Sequence, residues 1–182
     1  MALKPEGDLE MCVLTRDEIL KELDSGRLRI EPLDDPNQIG PASVDLHLDR
    51  ELRVPVPHRD GPIHVSEDAE LELETKVIQI DDHYVLDPGQ TVHGITRERL
   101  FLPSDLCAWI EGRSWIARLG LMVHVTAGFV QPGVSNRQVL EMSNVSGSPL
   151  AIHPGIRICQ IVLERTEGHA VYRGRFAEQD SP

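Results

Sequence analysis

From Val77 onward, this 182-residue chain alternates short apolar stretches with Pro-Gly turns, and this alternation restricts the folds open to it. The turn dipeptides are Pro88-Gly89, Pro132-Gly133 and Pro154-Gly155. Proline removes a backbone donor and glycine admits turn conformations, so each pair interrupts a regular element. Short strands with turn signals this frequent predict an all-β fold with short helices, arranged as a sandwich or distorted barrel. The predicted strand regions are VIQI, YVLDPGQTVHGI, LCAWIEG, LGLMVHV, QVLEMSN and PLAIHPGIRICQIVL.

The first half of the chain predicts one short helix followed by brief strands. Thr15-Arg-Asp-Glu18 has the pattern of a capping box, apolar residues follow it at helical spacing, and Gly26 ends the segment. Residues 57–74 are rich in Asp and Glu and are expected to form an exposed excursion. The length and the 40% hydrophobic content predict a single domain over 1–182 with a sizeable core.

Composition and charge exclude several classes of function. The chain has 30 Asp and Glu against 18 Lys and Arg, a formal charge of −12, which disfavours a nucleic-acid partner. It has no apolar run of membrane-spanning length and no secretory pattern at its start, so we expect a cytoplasmic protein without a membrane partner. Cys12, Cys107 and Cys159 are widely separated and predict reduced structural thiols rather than a zinc site.

The segment GRSWIARLG, residues 112–120, is the first candidate for a binding site. It predicts a short helical turn beginning near Gly112 and ending at Gly120, with Ser114 and Arg118 on one face. Free N–H groups in a first helical turn attract phosphate oxygens, so an anionic ligand would fit there. The alternative is that Ser114 is an N-cap and Arg118 a surface cation.

The strand around Glu141 is the second candidate. Side chains alternate along a strand, so Glu141 shares a face with Val139 and Ser143, while Leu140 and Met142 point the other way. In a partly desolvated pocket a carboxylate has its pKa raised toward neutrality, which would suit a group that takes a proton from water and returns it. The alternative is an ordinary exposed strand glutamate.

Four blocks of the sequence resemble the dCTP deaminase branch of the dUTPase superfamily. Pro41 to Leu46 with Leu48 is similar to its P-A-S-V-D-L-x-L pattern, and residues 112–120 are similar to G-R-S-S-x-A-R-x-G. The turn at 126–133 and Val139-Leu-Glu141 follow in the family's order. The resemblance implies a dUTPase-like distorted β-barrel or jelly roll, assembled as a homotrimer with sites between subunits.

The same resemblance implies hydrolytic deamination of dCTP to dUTP and ammonia, with Mg²⁺ bound with the triphosphate. It makes Glu141 the general base that deprotonates water and Arg113 a triphosphate contact. Ser114 and Arg118 would help hold the reacting water and the cytosine ring. Backbone carbonyls around Thr126 and Ala127 would also hold this water. The tail over residues 170–182 is similar to a family segment that closes over the nucleotide. The implied nucleotide-binding residues are Arg113, Ser114, Ala127, Phe129, Gln131, Tyr172, Arg175 and Gln179.

No metal ion is expected at the cytosine ring, where the reaction takes place. Zinc deaminases activate water with H-x-E and P-C-x-x-C motifs, and the sequence contains neither. His124 matches a family position, but a satisfied core histidine explains it equally well, and no catalytic role is assigned to it.

The chain departs from the family pattern in the turn that follows residue 126. Gln131 replaces the usual aspartate, Val134 the usual aromatic residue, and Asn136 a common glycine. Glutamine accepts a hydrogen bond from a sugar hydroxyl but cannot act as a base, which argues against dUTP hydrolysis. Ala127-Gly128-Phe129, by contrast, resembles bifunctional deaminase–dUTPases. Two alternatives therefore stay open: a bifunctional enzyme or dUTP pyrophosphatase, and a non-catalytic nucleotide-binding regulatory relative.

Overall fold

The computed structural model describes residues 12–56, Gly61 and residues 75–182. The predicted acidic excursion over 57–74 therefore lies, apart from Gly61, outside the described residues. The predicted helix is confirmed as α1, Arg16–Asp24, with Thr15 as its N-cap and Ile19 buried. The sequence pattern of a capping box is present, but the Thr15 side chain makes no capping hydrogen bond. Gly26 follows with φ of 73°, a conformation that glycine adopts without steric cost.

Strands dominate the remainder of the described chain, as predicted. They are β1 (Arg29–Glu31), β2 (Val44–Pro55), β3 (Thr75–Gln79), β4 (Tyr84–Leu86), β5 (Thr91–Phe101), β6 (Leu106–Gly112), β7 (Leu121–Met122), β8 (Phe129–Val130), β9 (Ser135–Asn144), β10 (Leu150–Ile152) and β11 (Arg157–Arg165). Seven of these strands form a continuous path in the order β7-β9-β5-β2-β11-β6-β8. β1 pairs with β5 and β3 pairs with β2, which completes a nine-stranded sheet, and a separate two-stranded sheet pairs β10 with β4.

The large sheet is curled, so that its concave face encloses the core. Register irregularities interrupt the ladders between Leu48 and Leu52, between Ile95 and Arg99, and between Arg157 and Cys159. Extra residues of this kind bend a strand and increase its twist. The result is the distorted, partly closed β-barrel architecture expected from the sequence.

Strict alternation of buried and accessible residues places the core on one side of β9. Leu140 and Met142 are fully buried, whereas Val139, Glu141 and Ser143 face the other side. Fixing one apolar face fixes the register, because a one-residue shift would move every side chain to the wrong face. The predicted division of this strand into two faces is therefore confirmed.

The predicted helical turn after β6 is also present. The helix α2 is short, Ser114–Ala117, with Arg113 rather than Ser114 as its N-cap. Gly120 has φ of 86°, and a Cβ there would lie 2.5 Å from the Cβ of Ser146, so the chain needs glycine to leave this helix.

One predicted strand is much shorter than its apolar run suggested. Only Leu121 and Met122 of LGLMVHV pair with β9, opposite Asn144 and Ser143. The chain leaves the sheet after Met122, and His124 consequently lies in a connecting segment. No helix in the described residues is long and apolar enough to cross a membrane.

Candidate functional site

A cleft of about 960 Å³ lies against the accessible face of β9. One wall is formed by the turn that begins at Ala127, and another by the C-terminal tail from Tyr172 onward. His93 of β5 and Glu141 of β9 face each other as a cross-strand pair within it. Seven residues predicted from the sequence line this cleft: Ala127, Phe129, Gln131, Glu141, Tyr172, Arg175 and Gln179.

Glu141 is held beside His124 at the base of the cleft. Nδ1 of His124 lies 2.8 Å from Oε2 of Glu141, and the histidine side chain is only 6% exposed against 33% for the glutamate. The histidine is therefore enclosed, while the carboxylate keeps an edge open to the cleft. An imidazole at this distance favours the ionised form of the carboxylate.

The pKa of Glu141 moves opposite to the sequence-based expectation. Burial acts to raise it, but the contact with His124, and more weakly the charge of His93, hold the pKa of Glu141 below its ordinary value of 4.5. The expected shift of this pKa toward neutrality is therefore wrong, because the neighbouring imidazole outweighs the effect of desolvation. Glu141 is ionised at neutral pH and can accept a proton directly.

The two histidines beside Glu141 differ in their protonation. Burial acts to lower the pKa of His124, but Glu141 and the Ala127 backbone outweigh it and raise the pKa of His124 above its ordinary value. For His93, burial prevails over the attraction of Glu141, and nearby Arg53 adds to it, so the pKa of His93 falls. The surroundings of His124 therefore favour its protonated form, whereas those of His93 favour its neutral form.

The residues on either side of β8 border the cleft, and the backbone of Gly128, just before β8, lies close to β6. The N–H of Ile110 donates to the Gly128 carbonyl at 2.8 Å, and a Cβ on Gly128 would lie 3.0 Å from the Ile110 carbonyl oxygen. A larger residue at 128 would therefore require a backbone shift. The side chain of Gln131 is exposed and borders the cleft, so its amide is accessible to a ligand hydroxyl.

The tail lies across the cleft and is attached to β9. Asn136 Nδ2 donates to the Phe176 carbonyl at 2.8 Å, and Gln179 Nε2 donates to the Arg137 carbonyl at 3.2 Å. The Tyr172 N–H donates to the Pro132 carbonyl at 2.9 Å. Asn136, which departs from the family pattern, therefore has a structural function as a tail anchor.

The other predicted residues lie elsewhere on the surface of the chain. Ser114 and Arg118 are exposed on and beside α2, and Arg113 forms an ion pair with Asp45 of β2. None of these three residues is among the described residues that line the cleft. The structure thus divides the predicted site into two groups, one around Glu141 and one around α2.

The sequence did not indicate His93 as a site residue, and it gave no role to Asn136 or His124. The sequence signal for His93 was weak, because the pairing of Thr91–Phe101 with Ser135–Asn144 had to be known before His93 could be placed opposite Glu141. For His124, a histidine at the end of an apolar run is equally typical of a packed core residue. Its proximity to Glu141 is a tertiary contact without a local pattern.

The curled sheet and its bordered cleft define a dUTPase-like β protein. A 2′-deoxycytidine 5′-triphosphate deaminase from Agrobacterium tumefaciens has the same fold, with a TM-score of 0.67 at 24% identity over 86% of this chain. This chain spans about half the length of that structure, 49%. A dUTPase from phage phi11 of S. aureus gives a TM-score of 0.51 at 12% identity, covering 81% of this chain and 96% of the neighbour.

Sequence comparison identifies the family more narrowly. The model of the dCTP deaminase-like family matches residues 13–166, so the chain belongs to this family of hydrolases. A Kocuria rhizophila protein named "dCTP deaminase, dUMP-forming" is 38% identical over 181 residues, or 94% of this chain and 92% of the relative. A Haloarcula marismortui protein named "dCTP deaminase" is 43% identical over 155 residues, or 83% of this chain and 79% of the relative.

Proposed function

We propose that the protein hydrolyses dCTP, taken up as its Mg²⁺ complex, to dUTP and ammonia. The observation that carries this proposal is Glu141, an ionised carboxylate held by His124 with one edge open to a nucleotide-sized cleft. Relatives of similar length are named for dCTP deamination, which supports the substrate class.

In the proposed mechanism, Glu141 removes a proton from a water molecule and the resulting hydroxide attacks C4 of cytosine. The C4–N3 π electrons move onto N3, giving a tetrahedral intermediate. The proton held by Glu141 is returned to the exocyclic amino nitrogen, and the bond between C4 and that nitrogen breaks to release ammonia. The proton of the C4 hydroxyl passes to N3 as the C4 carbonyl forms, which completes the uracil ring. His124 keeps Glu141 oriented and ionised between turnovers.

The cleft offers separate contacts for the parts of the nucleotide. Phe129 presents an aromatic ring at its border, and Gln131 offers an amide that can accept a hydrogen bond from the deoxyribose hydroxyl. Arg175 and Gln179 of the tail supply a cation and an amide donor for phosphate oxygens, with Tyr172 beside them. We assign these five residues, with the backbone at Ala127, to nucleotide binding.

The group around α2 would join this site from a second copy of the chain in a homotrimer. Ser114 and Arg118 would hold the reacting water and the cytosine ring, and Arg113 would contact the triphosphate. Exposed apolar side chains on or beside α2 and on the adjacent β7 support such an interface, since exposed apolar surface commonly marks association sites. These exposed residues are Trp115, Leu119 and Met122.

A second candidate is a bifunctional enzyme that also hydrolyses dUTP to dUMP. The names of several relatives and the glycine at 128 in Ala127-Gly128-Phe129 favour it. Gln131 opposes it, because a neutral amide cannot deprotonate the water that would attack the α-phosphate. We therefore give priority to the deaminase without dUTP hydrolysis.

Incubation with dCTP and Mg²⁺ tests these proposals when ammonia and pyrophosphate are followed together. Ammonia alone, abolished in Glu141→Gln and retained in Glu167→Gln at an exposed turn, is the expected result. Both products in stoichiometric amounts would establish the bifunctional enzyme. Binding of dCTP without either product would contradict both and favour a regulatory relative.

A further inference from the structure

A second group of ligand-type side chains lies outside the cleft, at one end of the small two-stranded sheet. Ile152 of β10 pairs with Tyr84 of β4, so the next residue of one strand, His153, lies opposite the preceding residue of the other, His83. Cross-strand neighbours at such positions have their Cβ atoms about 4.5–5.5 Å apart. The two imidazole rings lie with their centroids 5.3 Å apart.

Asp82 completes this group. Its Oδ2 lies 2.7 Å from Nδ1 of His83, its Oδ1 lies 3.9 Å from Nδ1 of His153, and its backbone carbonyl lies 3.1 Å from that same nitrogen. One potential ligand atom from each of the three residues lies within 4.8 Å of the other two. All three side chains are exposed, and none lines the cleft within the described part of the chain.

We infer that Asp82, His83 and His153 form a surface site for a divalent transition-metal ion of the zinc, nickel or copper type. Two imidazole nitrogens and one carboxylate oxygen are ligands that these ions prefer, whereas Mg²⁺ and Ca²⁺ prefer sites made of oxygen alone. The exposed side chains can rotate to reach metal–ligand distances of about 2.0–2.2 Å, and solvent supplies the remaining ligand.

The ion would act as a clamp on β4 and β10. These strands share only three residue pairs and form a sheet separate from the large one. Short two-stranded sheets are marginal on their own, so a link between the two chain segments at one end should slow their separation. The site is independent of the deaminase proposal, because it shares no residue with the cleft.

Calorimetric titration with Zn²⁺ tests this inference, using a Cys12→Ser background because Cys12 is an exposed thiol. The Cys12→Ser protein should bind one Zn²⁺, and adding His83→Ala, His153→Ala or Asp82→Asn to it should weaken binding by more than about tenfold in each case. His169→Ala is the matched control, since His169 is an exposed histidine bonded to Ser104 at 3.0 Å. A tenfold excess of Mg²⁺ should leave Zn²⁺ binding unchanged.

Hydrogen exchange provides a second measurement that does not depend on catalysis. Zn²⁺ should slow amide exchange in β4 and β10 of the wild type but not of His153→Ala. The inference is overturned if the ligand variants bind Zn²⁺ as the wild type does, if binding is lost instead in Glu141→Gln, or if the wild type shows no binding below millimolar Zn²⁺.

Discussion

Mixing two inactive variants should restore activity if the site is shared between copies of the chain. Ser114 lies outside the cleft that contains Glu141, so the proposed site takes Glu141 from one copy and Ser114 from its neighbour. Ser114→Ala and Glu141→Gln should each be inactive as homotrimers. In a mixed trimer, a site between an intact Glu141 and an intact Ser114 escapes both substitutions.

The size of the recovery follows from the geometry of a cyclic trimer. Each of its interfaces is formed by one face of one subunit and the complementary face of the next. With equal amounts of the two variants and random assembly, the chance that a given interface pairs the two intact groups is about one half times one half. About a quarter of wild-type activity should therefore return.

The assay is ammonia release from dCTP by co-expressed, differently tagged variants purified through both tags. Tandem purification removes the homotrimers, so the recovered activity per site should reach about one third, because a trimer of either mixed composition holds one intact site among three. Co-expressed Ser114→Ala and Arg118→Ala are the control and should stay inactive, because both substitutions affect the same face. An inactive Ser114→Ala and Glu141→Gln mixture, with mixed trimers verified by mass, would refute a shared site.

Three further predictions concern single substitutions. Because His124 lowers the pKa of Glu141, kcat/KM of the wild type should fall only below pH 4.5. In a pH–rate profile, His124→Asn should move this fall to higher pH. An unchanged profile would contradict the pairing of His124 with Glu141. Asn136→Gly removes the hydrogen bond to the Phe176 carbonyl and should raise KM for dCTP with little change in kcat. A fall in kcat as large as the rise in KM would argue against a role for Asn136 as a tail anchor. Leu140→Ala should lower the free energy of unfolding by about 2–5 kcal/mol in urea denaturation, since Leu140 is fully buried, and a loss below about 1 kcal/mol would contradict its place in the core.

The sequence was informative wherever the physical cause is local. Turn dipeptides with frequent strand-length apolar runs predicted the β architecture, and the 3.6-residue spacing after Thr15 predicted α1. Alternation along Ser135–Asn144 placed Glu141 on the accessible face. Each of these depends on the intrinsic geometry of a strand or helix, which neighbouring residues reveal.

Long-range pairing could not be read in the same way. His93 meets Glu141 only because β5 pairs with β9 in one register, and a bulge between Ile95 and Arg99 shifts that register along the strand. Asn136 likewise meets the tail only after residue 176 has folded back over β9. The departure of LGLMVHV from strand geometry has the same origin, because β7 has only two partners on β9.

The wrong direction expected for the pKa of Glu141 changes what the rest of the site must supply. A carboxylate whose pKa is lowered by His124 is ionised at neutral pH but is a weak base, so proton transfer alone provides little driving force. The barrier must then fall through positioning of the water and stabilisation of the charge that develops on the cytosine ring. Hydroxyl and guanidinium groups suit those tasks. Ser114 and Arg118 have these groups, but both residues lie outside the cleft of their own chain. The lowered pKa of Glu141 and the separation of the two groups therefore both support the proposal that a second copy of the chain contributes to the site.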